Sequence, residues 1–342
     1  GSRAPSLPVT KLSYVKEMPM FTGIQLPNHQ KRLSDIEIDR LKALDPECIR
    51  SYTYTTAEQY SQVMDVVSHP IFIVRPGLNG RIRSNEWMDN IWNGTQLLRD
   101  WQIPFWLNPA NEPNHPNGPY RDLGGYDQFY DDYGPLVGAC FNFLPNVPLV
   151  SPNLAVMAND VEWAAQCRPL FEQHKYIGTN AYWQYDNHLE PTWGLRIKLF
   201  REIYPDKEFV VLEIGDSTPD RSSADRAARI KANLDYLRLF DYVAAASIFI
   251  LGYDDTAPEK WPEFVYDPGD LAEIRRTGYS LAEIQTKVKQ YASEYGIDEN
   301  IAMKLVSMES GFSPFAVSSA GAKGLMQLMP QYYPGVDYYD PD

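Results

Sequence analysis

The sequence predicts an α/β chain: a (β/α)8 TIM barrel over residues 18–266, then a short all-α segment over residues 281–342. Three observations point to the barrel. Eight apolar runs alternate with stretches of helical periodicity. Those runs are continuously apolar, as strands of a parallel sheet buried on both faces are. No glycine-rich phosphate loop follows the first run, where Gly23 stands isolated, so a doubly wound open sheet is disfavoured.

After a lead-in over residues 1–17, Phe21–Leu26 reads as the first strand. Leu33–Leu44 follows with Leu33, Ile36, Leu41 and Leu44 near helical spacing and Ser34 as N-cap. Cys48–Tyr54 is a second strand and Ala57–Val67 its helix, then Ile71–Val74 and Glu86–Trp101 repeat the pair. Ile103–Leu107 is the fourth strand, with Tyr126–Phe143 as its helix. Pro148–Ser151 gives a short fifth strand before a helix at Val161–His174. Lys175–Trp183 and Trp193–Tyr204 form the sixth pair. Phe209–Leu212 and Ala224–Phe240 form the seventh, and Tyr242–Leu251 is the eighth strand. Residues 267–280 read as a linker with a short helical turn, and helices are expected at Leu281–Tyr295 and Glu299–Ser310.

In such a barrel chemistry sits where strands end. The polar residues there are Arg50, Arg75, Asn111 and Glu112, Tyr182 and Trp183, and Glu213. Glu112 lies just past a buried strand, where desolvation raises a carboxyl pKa as a general acid requires. Glu213 ends another. Two carboxylates at the ends of two buried strands can divide glycoside hydrolysis, one protonating the leaving oxygen and the other attacking the sugar or activating water.

Composition narrows the partners. A net charge of −14 argues against a nucleic-acid face, and the most apolar run, Tyr242–Gly252, is short of a membrane span. Cys48, Cys140 and Cys167 sit in or beside apolar segments as buried thiols, no Cys/His spacing suggests a metal, and no cofactor is implied. The Gly1-Ser2 start carries no methionine and looks like a cloning scar, so compartment is not legible from this end.

Asn111-Glu112 ending the fourth strand and Glu213 ending the seventh resemble the signature of the clan A glycoside hydrolases, retaining (β/α)8 enzymes. The resemblance implies Glu112 as acid/base, Glu213 as nucleophile and Asn111 as the partner of the sugar 2-hydroxyl. It implies Tyr182 and Arg50 beside the nucleophile, and substrate contacts from Arg50, Tyr182 and Trp183. Many members end strand eight in tryptophan; here Ile248-Phe249-Ile250 stands there. A barrel that binds glycan without cutting it, positioning the second module, is the competing reading.

Further on, Met308-Glu309-Ser310-Gly311-Phe312, then Ser318 and Gly321-Ala322-Lys323-Gly324-Leu325-Met326-Gln327-Leu328-Met329-Pro330, resemble the soluble lytic transglycosylases of lysozyme fold. That resemblance implies Glu309 as sole acid/base, walled by Met308, Phe312 and Phe315, with Gln327 and Ser318 as sugar or structural contacts. Half of that family's pattern is present, so a truncated module is expected, in which Glu309 does not operate unaided. Together the two resemblances imply a polysaccharide or peptidoglycan substrate and a secreted, envelope-associated or phage-borne protein.

Overall fold

The computed structural model describes residues 20–67, 70–78, 80–116, 118–120, 125–156, 159–252, 264–275 and 281–310, with 312, 322, 324–329 and 332–333. In chain order the elements are β1 (Phe21–Gln25), α1 (Asp35–Leu44), β2 (Cys48–Tyr52), α2 (Ala57–Val66), β3 (Ile71–Arg75), α3 (Ser84–Gly94), α4 (Gln96–Asp100) and β4 (Phe105–Leu107). Next come α5 (Gly125–Phe143), α6 (Asp160–Gln166), α7 (Arg168–Phe171), β5 (Tyr176–Trp183), α8 (Ile197–Ile203), β6 (Glu208–Asp216), α9 (Ser223–Leu237) and β7 (Val243–Ile248). The helices α10 (Pro268–Arg275), α11 (Leu281–Glu294) and α12 (Glu299–Ser310) follow among the described residues.

Among the described residues, seven strands form one parallel sheet in the order β4-β3-β2-β1-β7-β6-β5. Sequence had suggested eight. The fifth, at 148–151, makes isolated bridges rather than a strand. Pro148 and Pro152 bracket it and have no N–H to extend a ladder. It nevertheless bonds both sheet edges: Val150 N donates to Leu107 O at 2.8 Å, and Ser151 N donates to Tyr176 O at 2.9 Å. Gly178 permits this approach, since a Cβ there would lie 2.3 Å from Ser151 O.

Alternation along the strands sorts side chains into two cores. Cys48, Ile73, Trp106, Val150, Val210, Leu212, Ala244 and Ala245 pack together inside the curl, with Phe21, Ile71 and Tyr176 against them. The opposite faces, among them Ile24, Ile49, Phe72, Leu107, Ile177, Val211 and Ala246, meet the helices in a larger core. A sheet buried on both faces is what the continuously apolar runs require.

Three helices differ from the sequence reading. The stretch expected at 86–101 breaks into α3 and α4 where Gly94 packs on Thr53, 2.4 Å from a would-be Cβ. Pro169 sits in the first turn of α7, separating it from α6. Residues 268–275, read as linker, form α10, whose Leu271 and Ile274 join the larger core. The three cysteines are free and buried. No helix among the described residues is long and apolar enough to cross a membrane.

Candidate active site

Above the apolar filling of the curl, the inward positions become polar at the strands' C-terminal ends. Gln25, Arg50, Asn153, Asn180, Glu213 and Ser247 are all buried there. Glu213 arrives by a phase shift. Strand β6 runs on to Asp216, so Glu213 does not end it. The pairing with β5 passes from Thr179↔Val211 to Asn180↔Glu213, an irregularity that gives β6 one extra residue. Val210 and Leu212 point inward, Val211 and Ile214 outward. The extra residue therefore turns Glu213 inward beside Leu212, where strict alternation would have sent it out among the helices.

Glu112 is placed by a strained turn. Its φ is +42°, a left-handed conformation that costs a non-glycine residue about 1 kcal/mol or more. Glu112 N donates to Asn153 O at 2.9 Å, and His115 N donates to Glu112 O at 3.0 Å. Asn114 then clamps the loop: its Nδ2 donates to Ala155 O at 3.1 Å, and its Oδ1 accepts from Ala155 N at 2.8 Å.

The two carboxylates share one amide. Asn180 Nδ2 donates to Glu112 Oε1 at 2.7 Å and lies 3.4 Å from Glu213 Oε2. Laid end to end these come to about 6 Å, an upper bound on the gap between those two oxygens. Arg50, with 0% exposure, forms an ion pair with Glu213 Oε1, and its Nη1 also donates to Gln25 Oε1 at 2.5 Å. Its Nη2 donates to Asn111 Oδ1 at 2.8 Å, which also accepts from Asn153 Nδ2 at 2.9 Å. With its oxygen so committed, Asn111 has its NH2 group to offer a ligand. Tyr182 Oη donates to Glu213 Oε2 at 2.9 Å. Its ring lies on Gly215, where a Cβ would come within 2.6 Å, and packs edge-on to Phe249 and Phe264.

These surroundings drive the two acids apart. Burial, and then the negative charge of Glu213, push Glu112 up to about 7, overriding Arg75, Arg50 and the Asn180 hydrogen bond. Burial would raise Glu213 too, but the charges of Arg50 and Arg75 and the hydrogen bonds from Arg50 and Tyr182 outweigh it and hold that carboxyl below its ordinary value. At neutral pH the pair thus holds one ionised carboxylate beside one that is readily protonated. A rate that needs Glu112 protonated and Glu213 ionised will follow a bell. It should fall as pH rises through about 7, with an acid limb below the usual carboxylate range. A kcat/KM profile on a glycoside checks this, and a rate still flat at about pH 9 would contradict it. By linkage, the raised Glu112 also contributes stability that is lost as pH climbs from its ordinary 4.5 through about 7.

Other expected substrate contacts are placed differently. Arg50 was expected to touch substrate; fully enclosed, it holds Glu213 instead. Trp183, also expected in the site, faces the opposite side of β5 from Tyr182 and is buried in the outer core. Period-two alternation sends it there. Glu309 is exposed near the end of α12, and Met308, expected to wall it, is 76% exposed. Gln327 donates from Nε2 to Gly324 O at 2.9 Å and so closes its own turn. Ser318 and Phe315 lie outside the described residues. Sequence reasoning passed over Gln25, Asn153 and Asn180. The available signal was Asn180 sharing the inward phase of Tyr176, Gly178 and Tyr182 within an apolar strand.

Comparison with known proteins divides the chain in two. The fold is similar to a GH39 β-xylosidase from Caulobacter crescentus, with TM-score 0.53, 15% identity, 76% of this chain and 71% of that one covered. It is also similar to a GH128 (subgroup II) endo-β-1,3-glucanase from Sorangium cellulosum, with TM-score 0.51, 14% identity and coverage of 76% and 99%. At such identity the likeness is one of fold alone. By sequence, the chain is 46% identical over 43 residues to membrane-bound lytic murein transglycosylase C of Mannheimia succiniciproducens, 13% of this chain and 12% of that protein. The same-named protein of Klebsiella pneumoniae is 42% identical over 52 residues, 15% and 14% of the two chains. The matches thus span about an eighth of those relatives' length. Residues 286–336 match the family described as Transglycosylase SLT domain, so this chain joins a parallel α/β fold similar to those two structures to an SLT transglycosylase segment.

Proposed function

We propose that the α/β domain is a retaining glycoside hydrolase acting on a β-linked glycan of the bacterial wall, and that the SLT segment belongs to a peptidoglycan lytic transglycosylase module using Glu309. The observation that carries the first part is the Asn180 amide spanning two carboxylates of opposite tendency. Because about 6 Å is an upper bound on that gap, it falls below the roughly 6.5–9.5 Å of inverting pairs and leaves room for the 5–5.5 Å of retaining ones. In this reading the segment at 149–153 is the eighth stave of a barrel, and the site opens at its rim.

The chemistry then runs in two steps. Glu213 attacks the anomeric carbon while Glu112 passes its proton to the departing oxygen, which leaves a glycosyl ester on Glu213. Water deprotonated by Glu112 next attacks that carbon, releasing sugar of the original configuration and the free Glu213 carboxylate. Asn111 offers its NH2 to the sugar 2-hydroxyl. A wall glycan as target, with action outside the cytoplasm at the envelope, follows from joining such a domain to an SLT segment.

The test is proton NMR of fresh product from a β-glycoside. The β-anomer should appear first, and the α-anomer first would exclude retention. Glu112→Gln should lower turnover of unactivated glycan by about 10²- to 10⁴-fold. On 4-nitrophenyl glycosides the same variant should give a nitrophenol burst as the ester accumulates. If wild type and variant share one background rate on glycosides and purified wall, the domain binds glycan without cutting it.

A further inference from the structure

We propose that Arg75 holds a carboxylate carried by the sugar lying between Glu112 and Glu213, so that the domain takes an anionic glycan. This rests on the hydrolase reading above. Ile71 and Ile73 face the interior core, and Arg75, two residues on, ends β3 on the same face. In register it pairs with Tyr52 of β2, the strand that carries Arg50.

The two guanidinium groups differ in how they are engaged. Arg50 is enclosed and bound to Gln25, Glu213 and Asn111. Arg75 is partly exposed, with its Cζ over the Tyr52 ring, 4.6 Å from the centroid. Tyr52 Oη is itself taken as an acceptor by Gln25 Nε2 at 2.7 Å. Arg75 Nε is sealed without a hydrogen-bond partner, and among the described residues no carboxylate pairs with this guanidinium. Its charge is felt at both Glu112 and Glu213, yet it is bonded to neither.

A chain of net charge −14 has many acids from which such a cation could draw a partner. Here the groups acting on the fork are the Tyr52 phenol and, at longer range, the Glu213 charge, and among the described residues no carboxylate is bonded to it. The Tyr52 ring beneath Cζ gives the guanidinium a seat, and its planar fork suits two parallel N–H bonds to a carboxylate. A uronic acid carries that group at C6, and a muramic-type sugar carries it on a lactyl ether. The chemistry at Arg75 is the same for both.

Calorimetric titration of the full chain tests this with two ligand pairs. The first is 4-nitrophenyl β-D-glucuronide against the β-D-glucoside, which differ only at C6. The second is amidase-stripped peptidoglycan strands before and after carbodiimide amidation of the lactyl carboxylates. Wild type should bind the acidic member of one pair about tenfold or more tighter, and Arg75→Gln should shrink that ratio to within about twofold. Using a ratio cancels whatever Arg75 does to the two acids themselves. The pair that shows the preference identifies the source of the carboxylate. Equal binding within both pairs, or discrimination surviving in Arg75→Gln, overturns the proposal. Should Arg75→Gln fail to fold, the wild-type ratio, its loss with added salt and its partial retention in Arg75→Lys decide the matter. The same solutions assayed for turnover separate the two ideas: acid preference without cleavage removes the hydrolase reading alone, and cleavage without preference removes this one alone.

Discussion

Glu213→Gln is expected to lower hydrolysis of β-glycosides by on the order of 10⁴-fold or more, because it removes the group that forms the covalent bond. An amide cannot form the glycosyl ester, and no other described carboxylate shares the Asn180 amide with Glu112. The same change leaves Arg50, at 0% exposure, without its anion. Stranding one member of a buried ion pair costs about 3–5 kcal/mol, so the variant should also melt well below wild type. The two losses can be told apart. Sodium azide added to a folded Glu213→Ala variant can supply an external nucleophile, and rescue with inverted product would identify the missing group as the attacking one. A Glu213→Gln enzyme that keeps more than about a tenth of wild-type turnover would remove Glu213 from the chemistry.

How much of this was legible in the sequence depended on range. The strands could be read because both faces of the sheet are covered, which leaves long apolar runs such as Phe209–Leu212. Arg50 and Glu112 could be singled out as candidates because polar residues at or just past apolar runs stand out. The inward turn of Glu213 was not legible, since it follows from one extra residue in the β5–β6 pairing rather than from any local pattern. Trp183 shows the same limit in reverse: it neighbours Tyr182 in sequence but occupies the other face. Asn153 and Asn180 meet at 3.0 Å across 27 residues of chain, a contact no short motif encodes. The segment at 148–151, read as a strand, makes isolated bridges instead, because the prolines at 148 and 152 matter more to hydrogen bonding than its apolar residues suggest.

Arg50→Met should be nearly as damaging as the loss of Glu213, by a different route. Methionine fills much of the volume, but Glu213, 6% exposed, then keeps only Tyr182, Asn180 and the more distant Arg75 to support its charge. Burial already pushes that carboxyl up, and without the Arg50 charge nothing of equal size opposes it. The folded pKa of Glu213 should therefore move from below its ordinary value to above it. The sign of the linkage reverses with it. In wild type, Glu213 contributes stability above the ordinary carboxylate pKa that is lost as pH falls. In Arg50→Met it should cost stability as pH rises, with a deficit of about 3–5 kcal/mol at neutral pH that shrinks in acid. Urea melts across the pH range would show the reversal, and the acid limb of the rate profile should move up into the limb near 7, narrowing the bell. Removing both charges in Arg50→Met/Glu213→Gln should destabilise less than the two single changes added, since no buried ion is left unpaired. Additive losses in that cycle, or an unshifted acid limb, would mean that Arg50 is a packing residue and that another group keeps Glu213 ionised.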